Sequence, residues 1–188
     1  MNKGKLIIFA APSGSGKTSI VKYLLDQNIP LRFSVSATTR PKRPNEKHGE
    51  DYFFLTQKQF QNKISAGDFL EWEEVYAGTY YGTLKSEVDK LLEKGENVLF
   101  DVDVLGAINI KKNYGIQALA LFVKAPSVEE LVERLTNRGT ENEESLKRRI
   151  EKVNFELSFE KEFDITIINN DLMEAQSEAK QIVMNFVN

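Results

Sequence analysis

The run Ala11-Pro-Ser-Gly-Ser-Gly-Lys-Thr18 constrains what this chain can fold into more than any other stretch. It works only as a turn between a buried strand and a helix. Gly14 and Gly16 let the backbone curl until several amide groups converge on one anion. The helix that follows presents its positive end to the same anion. Lys17 can then neutralise β and γ phosphates, and the Thr18 hydroxyl can ligate magnesium. The flanks supply the required context. Leu6 to Ala10 is a short apolar run suited to a strand buried on both faces, and Val21, Leu24 and Leu25 recur at helical spacing until Pro30. Ala11 departs from the phosphate-loop pattern, which has glycine there, and costs little if its φ stays negative. The loop predicts binding of a nucleoside triphosphate with magnesium. It does not name the reaction.

A chain of 188 residues accommodates one main domain with inserted segments. Val98–Phe100, Leu119–Val123 and Ile165–Ile168 read as further buried strands separated by helical stretches, so an α/β fold with a mostly parallel, doubly covered sheet is expected. Ser127 with Glu130, Thr140 with Glu143, and Asp171 with Glu174 resemble capping boxes. After Asp171, the residues Leu172, Ala175, Ala179, Ile182, Val183 and Phe186 form one apolar helix face. From Leu31 to Thr83 the texture changes: polar and apolar residues alternate and most of the aromatics gather, with Thr56–Ser65 reading as a helix that turns Phe60 and Ile64 inward. This predicts a small, mainly β insertion at 33–83. A charged helical pair hinged at Arg138-Gly-Thr140 makes a second one at 127–152, and core segments fall at 1–32, 84–126 and 153–188.

The net charge of −3 argues against a general nucleic-acid surface. Within that acidic total, Arg40, Lys42 and Arg43 cluster in one place, and Arg134, Arg138, Arg148 and Arg149 in another, which suits a small polyanionic ligand. Without cysteine there is no disulfide framework and no thiolate metal site. The opening residues lack a cleavage pattern, and Leu6–Phe9 is too short to span a membrane. The chain is read as cytoplasmic and mature from its start, with no membrane and no obligate protein partner. Asp101 and Asp103 follow the strand Val98–Phe100, at the end where ligands of open α/β sheets gather. One can organise magnesium through water and the other can accept from a substrate base, although an aspartate here can equally cap the next helix.

Further along, Ser34-Val-Ser-Ala-Thr-Thr-Arg-Pro-Lys-Arg-Pro44 is followed by Glu46, Gly49, Asp51 and Tyr52. Then come Phe69-Leu-Glu-Trp72, Tyr80-Tyr-Gly-Thr83, Phe100-Asp-Val-Asp103, Arg138-Gly-Thr-Glu141 and Ile168-Asn-Asn-Asp171. In this order, over nearly the whole chain, they resemble the guanylate kinase family. The resemblance implies a P-loop nucleotide kinase core of mostly parallel sheet flanked by helices, a small mainly β GMP-binding insertion and a helical lid. It implies phosphoryl transfer from ATP to GMP, and by extension dGMP, with Mg2+. By the same resemblance, ATP is held by Ser13, Gly14, Ser15, Gly16, Lys17, Thr18 and Ser19, with Arg134, Arg138 and Asn169. The GMP phosphate falls to Arg40 and Arg43 with Tyr52 and Tyr81, and the guanine to Ser36, Glu71, Thr83 and Asp103, with Asp101 beside them. Lys17, Arg40, Arg138 and Arg149 carry the catalytic charge, and Thr18 with Asp101, through water, the metal.

The residue chemistry fits these roles. Forked guanidinium groups grip a dianionic phosphate bidentately, and carboxylates accept from guanine N1 and N2 where adenine has no matching donor. Three departures stand out: Ala11, Leu105 in place of a glutamine, and one extra residue between Trp72 and Tyr80. His48, the single histidine, is expected in an exposed loop. Two other readings remain: a non-catalytic guanylate-kinase-like module that binds phosphorylated partners, and a kinase for another nucleoside monophosphate.

Overall fold

The computed structural model describes residues 3–136 and 143–188. Its main sheet has five parallel strands: β1 (Leu6–Ala10), β2 (Leu31–Phe33), β7 (Asn97–Asp101), β8 (Ala118–Lys124) and β9 (Ile165–Ile168), in the order β2-β7-β1-β8-β9. Alternation along β1 divides the core in two. Ile7 and Phe9 face one side with Leu99, Leu121 and Val123, and there they meet Val21 and Leu24 of α1 (Lys17–Leu25) and Ala175, Ala179 and Val183 of α7 (Leu172–Val187). Leu6 and Ile8 face the other side with Val98 and Phe100, under Val88 and Leu92 of α3 (Lys85–Glu93) and Ala107 and Ile110 of α4 (Val104–Tyr114). The mostly parallel, doubly covered sheet expected from the strand pattern is what forms.

β2 straddles the expected boundary between core 1–32 and insertion 33–83. Its residues share the texture of the insertion, yet Leu31–Phe33 pairs as a whole with β7 at the edge of the main sheet. The reason is physical: an edge strand is half solvated, and two of its three residues are exposed, so it lacks the continuous apolar signature of its neighbours.

The second sheet holds β3 (Ala37–Thr38), β4 (Phe53–Phe54), β5 (Phe69–Tyr76) and β6 (Thr79–Leu84), in the order β4-β3-β6-β5. It has a core of its own, in which Phe60 of α2 (Gln57–Ser65) stacks on Phe69 at 4.3 Å, with Ala37 and Leu84 beside them and Ile64 packed against the cluster. Thr56 and Gln59 cap α2 reciprocally. Asp171 caps α7 through the amides of Met173 and Glu174. Ser127 Oγ accepts from Glu130 N at the start of α5 (Val128–Thr136). The proposed box at Thr140 lies outside the described residues, and α6 runs from Glu143 to Leu157. Leu172, assigned to the buried face of α7, is 41% exposed, because it sits in the first turn beyond the edge of the core. No helix among the described residues is long and apolar enough to cross a membrane.

Candidate active site

The carboxyl ends of β1, β7 and β9 lead into Ala11, Val102 and Asn169, so the sheet brings the phosphate loop, the paired aspartates and the Ile168-Asn-Asn-Asp171 run to one edge. Gly14 and Gly16 have φ of 91° and 88°, values a side chain would strain. No non-glycine residue among those described has positive φ, so Ala11 sits without strain, and it is buried against the core. α1 begins after Gly16 with no side-chain cap, unlike α2, α4 and α7, and has no acid in its first turn. Its free amide end is therefore available to an anion.

Lys17 Nζ reaches across to β7, 2.5 Å from Asp101 Oδ1 and 2.6 Å from the Val102 carbonyl oxygen. Thr18 Oγ1 donates to Asp101 Oδ2 at 3.4 Å. A hydroxyl and a carboxylate facing each other suit a hard cation that takes its other ligands from water and phosphate.

A cavity of about 690 Å³ runs from this loop to the second sheet, where Ser36, Tyr52, Glu71 and Tyr81 line it. Glu71 turns inward from β5 while its neighbour Trp72 is 47% exposed. The carboxyl of Glu71 is pushed up to about 7, first by burial and then by the Asp103 and Glu73 carboxylates, against the hydrogen bond from Thr83. That bond, Thr83 Oγ1 to Glu71 Oε1, is 2.6 Å long, and Thr83 is buried, so its hydroxyl aims the carboxylate. Asp103 lines the cavity and also caps α4, accepting from Gly106 N at 2.6 Å. Of the two aspartates, it is the one that takes the helix-cap role. Gly106 lets β5 come this close, since a Cβ there would lie 3.1 Å from Asp103 Oδ1 and 3.2 Å from Glu71 Cγ.

Arg40 stands behind Tyr52 and Tyr81. Glu46 grips it with both oxygens, at 3.0 and 2.7 Å, and its guanidinium lies 5.2 Å from the Tyr52 ring centre and 5.7 Å from that of Phe54. The fork raises the Arg40 pKa and holds Glu46 down to about 2. Glu46 Oε2 also accepts the Arg43 amide at 2.8 Å, which leaves the Arg43 side chain exposed. The sequence assigns Glu46 no role; the available signal was an acid six residues after Arg40 in the same basic loop. His48 is exposed as expected, and its Nδ1 accepts from Phe54 N.

On the other flank, Arg134 donates to Glu130 at 2.5 Å and to the Asn169 carbonyl oxygen at 3.0 Å. Asn169 is only 4% exposed, and its side-chain amide donates to the Ser15 carbonyl oxygen at 2.8 Å. Its side chain thus turns to the backbone of the phosphate loop. Arg138 lies outside the described residues, and the side chains of Arg148 and Arg149 do too. Lys152 and Glu156 of α6 line the cavity unforeseen; their i, i+4 relation was the readable signal. Burial raises the Glu156 carboxyl, opposed by Lys152. Among the described residues, no cluster of three or more metal-binding side chains occurs.

A family model described as Guanylate kinase matches residues 3–185. The chain is similar to the guanylate kinase of Bacteroides thetaiotaomicron, with 55% identity over 98% of this chain and 91% of that protein. To the guanylate kinase of Porphyromonas gingivalis it is 46% identical, over 97% of this chain and 98% of that protein. The crystal structure of guanylate kinase from Anaplasma phagocytophilum is similar with a TM-score of 0.73 and 26% identity, covering 100% of this chain and 88% of that chain.

Proposed function

The chain belongs to the guanylate kinase family, and from that premise we propose that it moves the γ-phosphoryl group of ATP onto GMP through the cavity described above. The observation that carries the reading is the continuity of that cavity: one space joins the phosphate loop to Glu71, Ser36, Tyr52 and Tyr81. A donor and an acceptor nucleotide can therefore meet in line.

An oxygen of the GMP phosphate attacks the γ-phosphorus, the bond to the β–γ bridging oxygen breaks, and ADP and GDP result. A dianionic phosphate is already a nucleophile, so no general base is required. The loop amides from Ser13 to Ser19 cradle the donor's phosphates. Lys17 exchanges Asp101 and the Val102 carbonyl for phosphate oxygens as the donor enters. Arg40, held rigid by Glu46, and Arg43 take the acceptor phosphate with Tyr52 and Tyr81. Glu71, aimed by Thr83, accepts from the guanine N–H groups with Asp103, and Ser36 serves O6. Thr18, with Asp101 through water, would hold magnesium, which would supply charge neutralisation on the phosphates. The segment 127–152 acts as the lid that brings Arg138 and Arg149 to the transferring group and excludes water. The division into core, insertion at 33–83 and lid follows from these roles, and dGMP fits the same contacts. A cytoplasmic setting suits the reaction.

The deciding experiment assays GMP, dGMP, AMP, UMP and CMP in parallel with ATP and magnesium. Turnover of GMP and dGMP is expected. Preference for AMP would overturn the Glu71 and Asp103 roles, and turnover of none would leave a binding module.

A further inference from the structure

We infer that Asn169 is a positioning residue that orients the anion-binding amides of the phosphate loop. The inference rests on the reading that this loop holds the triphosphate. Ser15 C=O and Gly16 N–H are the two ends of one planar trans peptide and point in opposite directions. Asn169 Nδ2 donates to the Ser15 carbonyl oxygen at 2.8 Å from behind the loop, so it holds that oxygen outward and aims the Gly16 amide into the cradle. Both Asn169 and Ser15 are buried, at 4% and 1% exposure, so water does not readily replace the contact.

The backbone of Asn169 is fixed on both sides. Its N–H donates to the Lys124 carbonyl oxygen at the end of β8 (2.8 Å), and its carbonyl accepts from Arg134 of α5 (3.0 Å). The fit to the loop is close: a Cβ added at Gly16 would lie 2.1 Å from Asn169 Nδ2. Gly16 therefore serves two needs, its φ of 88° and the space that the asparagine amide occupies. The bond spans 154 positions of sequence and ties the end of β9 to the loop after β1 across the intervening β8.

A group that acts through the loop affects anything bearing phosphates, whereas a group that reads adenine affects only the nucleotide. The test compares Asn169→Ala, Asn169→Asp and Asn169→Ser with wild type. Three readouts are taken: the KM of ATP, the inhibition constant of magnesium tripolyphosphate against ATP, and the dissociation constant of GMP. Asn169→Ala is expected to weaken ATP and tripolyphosphate by the same factor, roughly 5- to 150-fold. Asn169→Asp is expected to weaken both further, because it sets a carboxylate against the Ser15 carbonyl and behind the anion. GMP binding stays as in wild type, which a general loss of fold would not leave untouched. Asn169→Ser keeps a donor and a similar polarity, so it decides the matter if the other two variants do not fold. Loss of ATP affinity with tripolyphosphate unaffected, or no loss of either, overturns the inference. Failure of the wild type to transfer phosphate to GMP would instead overturn the functional reading on which it rests.

Discussion

Replacing Glu71 with glutamine should make the protein more stable and a poorer guanylate kinase at the same time. Folding moves the Glu71 carboxyl from 4.5 to about 7, chiefly by burial. Below pH 4.5 the group is protonated in both the folded and the unfolded chain and contributes no pH dependence. As pH rises from there to 7 the unfolded chain releases the proton while the folded chain keeps it, so stability falls. Above 7 the accumulated cost levels off at about 3 kcal/mol. Glutamine keeps the shape and cannot ionise, so Glu71→Gln gains up to that amount at pH 8 and little at pH 4. For a chain of this size the gain corresponds to a Tm increase of roughly 5–10 °C. Thermal melts of both proteins without nucleotide, from pH 4.5 to 8.5, should diverge with rising pH and run parallel above 7. Titrations elsewhere are shared and cancel in the difference. The functional arm runs the other way. Below pH 7 the wild-type KM for GMP should rise about tenfold per unit as the acceptor is protonated. The second ionisation of the GMP phosphate, near about 6, is common to both proteins and drops out of the comparison. In Glu71→Gln the KM should be high and should lack that Glu71-dependent rise, with preference for GMP over AMP reduced roughly 5- to 150-fold. A stability difference that does not vary with pH, or unchanged discrimination against AMP, would refute the argument.

Four further outcomes can be checked directly. Lys17→Ala should lose nearly all transfer while calorimetry shows GMP still bound; wild-type turnover would remove its assigned role. Gly16→Ala places a Cβ in a left-handed backbone and 2.1 Å from the Asn169 amide, so ATP binding should be abolished while GMP binding persists. Glu46→Gln breaks the two-oxygen grip on Arg40, and the KM for GMP should rise about tenfold with the KM for ATP unmoved, as steady-state kinetics would show. Asp171→Ala removes the cap of α7 and should cost about 1 kcal/mol in a denaturant melt without changing turnover.

The main sheet was legible because its central strands are apolar throughout, and runs such as Leu119–Val123 are hard to place anywhere else. β2 was not, since an exposed edge strand of three residues carries too little apolar pattern to separate it from the insertion beside it. Motif order likewise brought the acceptor residues together, but their environment was hidden. The Glu71 shift needs the second sheet to bury the side chain and α4 to bring Asp103 near. The cap at Asp103 was one of two open readings for the aspartates, and only the start of α4 settled it. The Asn169 bond could not be read from spacing at all, because it depends on which strands lie between the two loops. Lys152 and Glu156 fall between these cases: their pairing along the helix was visible, while the surface it faced was not.

The short contact between Lys17 and Asp101 has a consequence for how the two halves of the donor arrive. Each group neutralises the other while the cleft holds no phosphate. A nucleotide that draws Lys17 away strands the aspartate, and a cation that engages the aspartate strands the lysine. Either one alone leaves an uncompensated charge in a partly covered site, whereas both together leave none. Nucleotide and metal should therefore strengthen each other's hold by the same factor, as reciprocity demands. On that expectation the cleft should admit them as a neutralised couple.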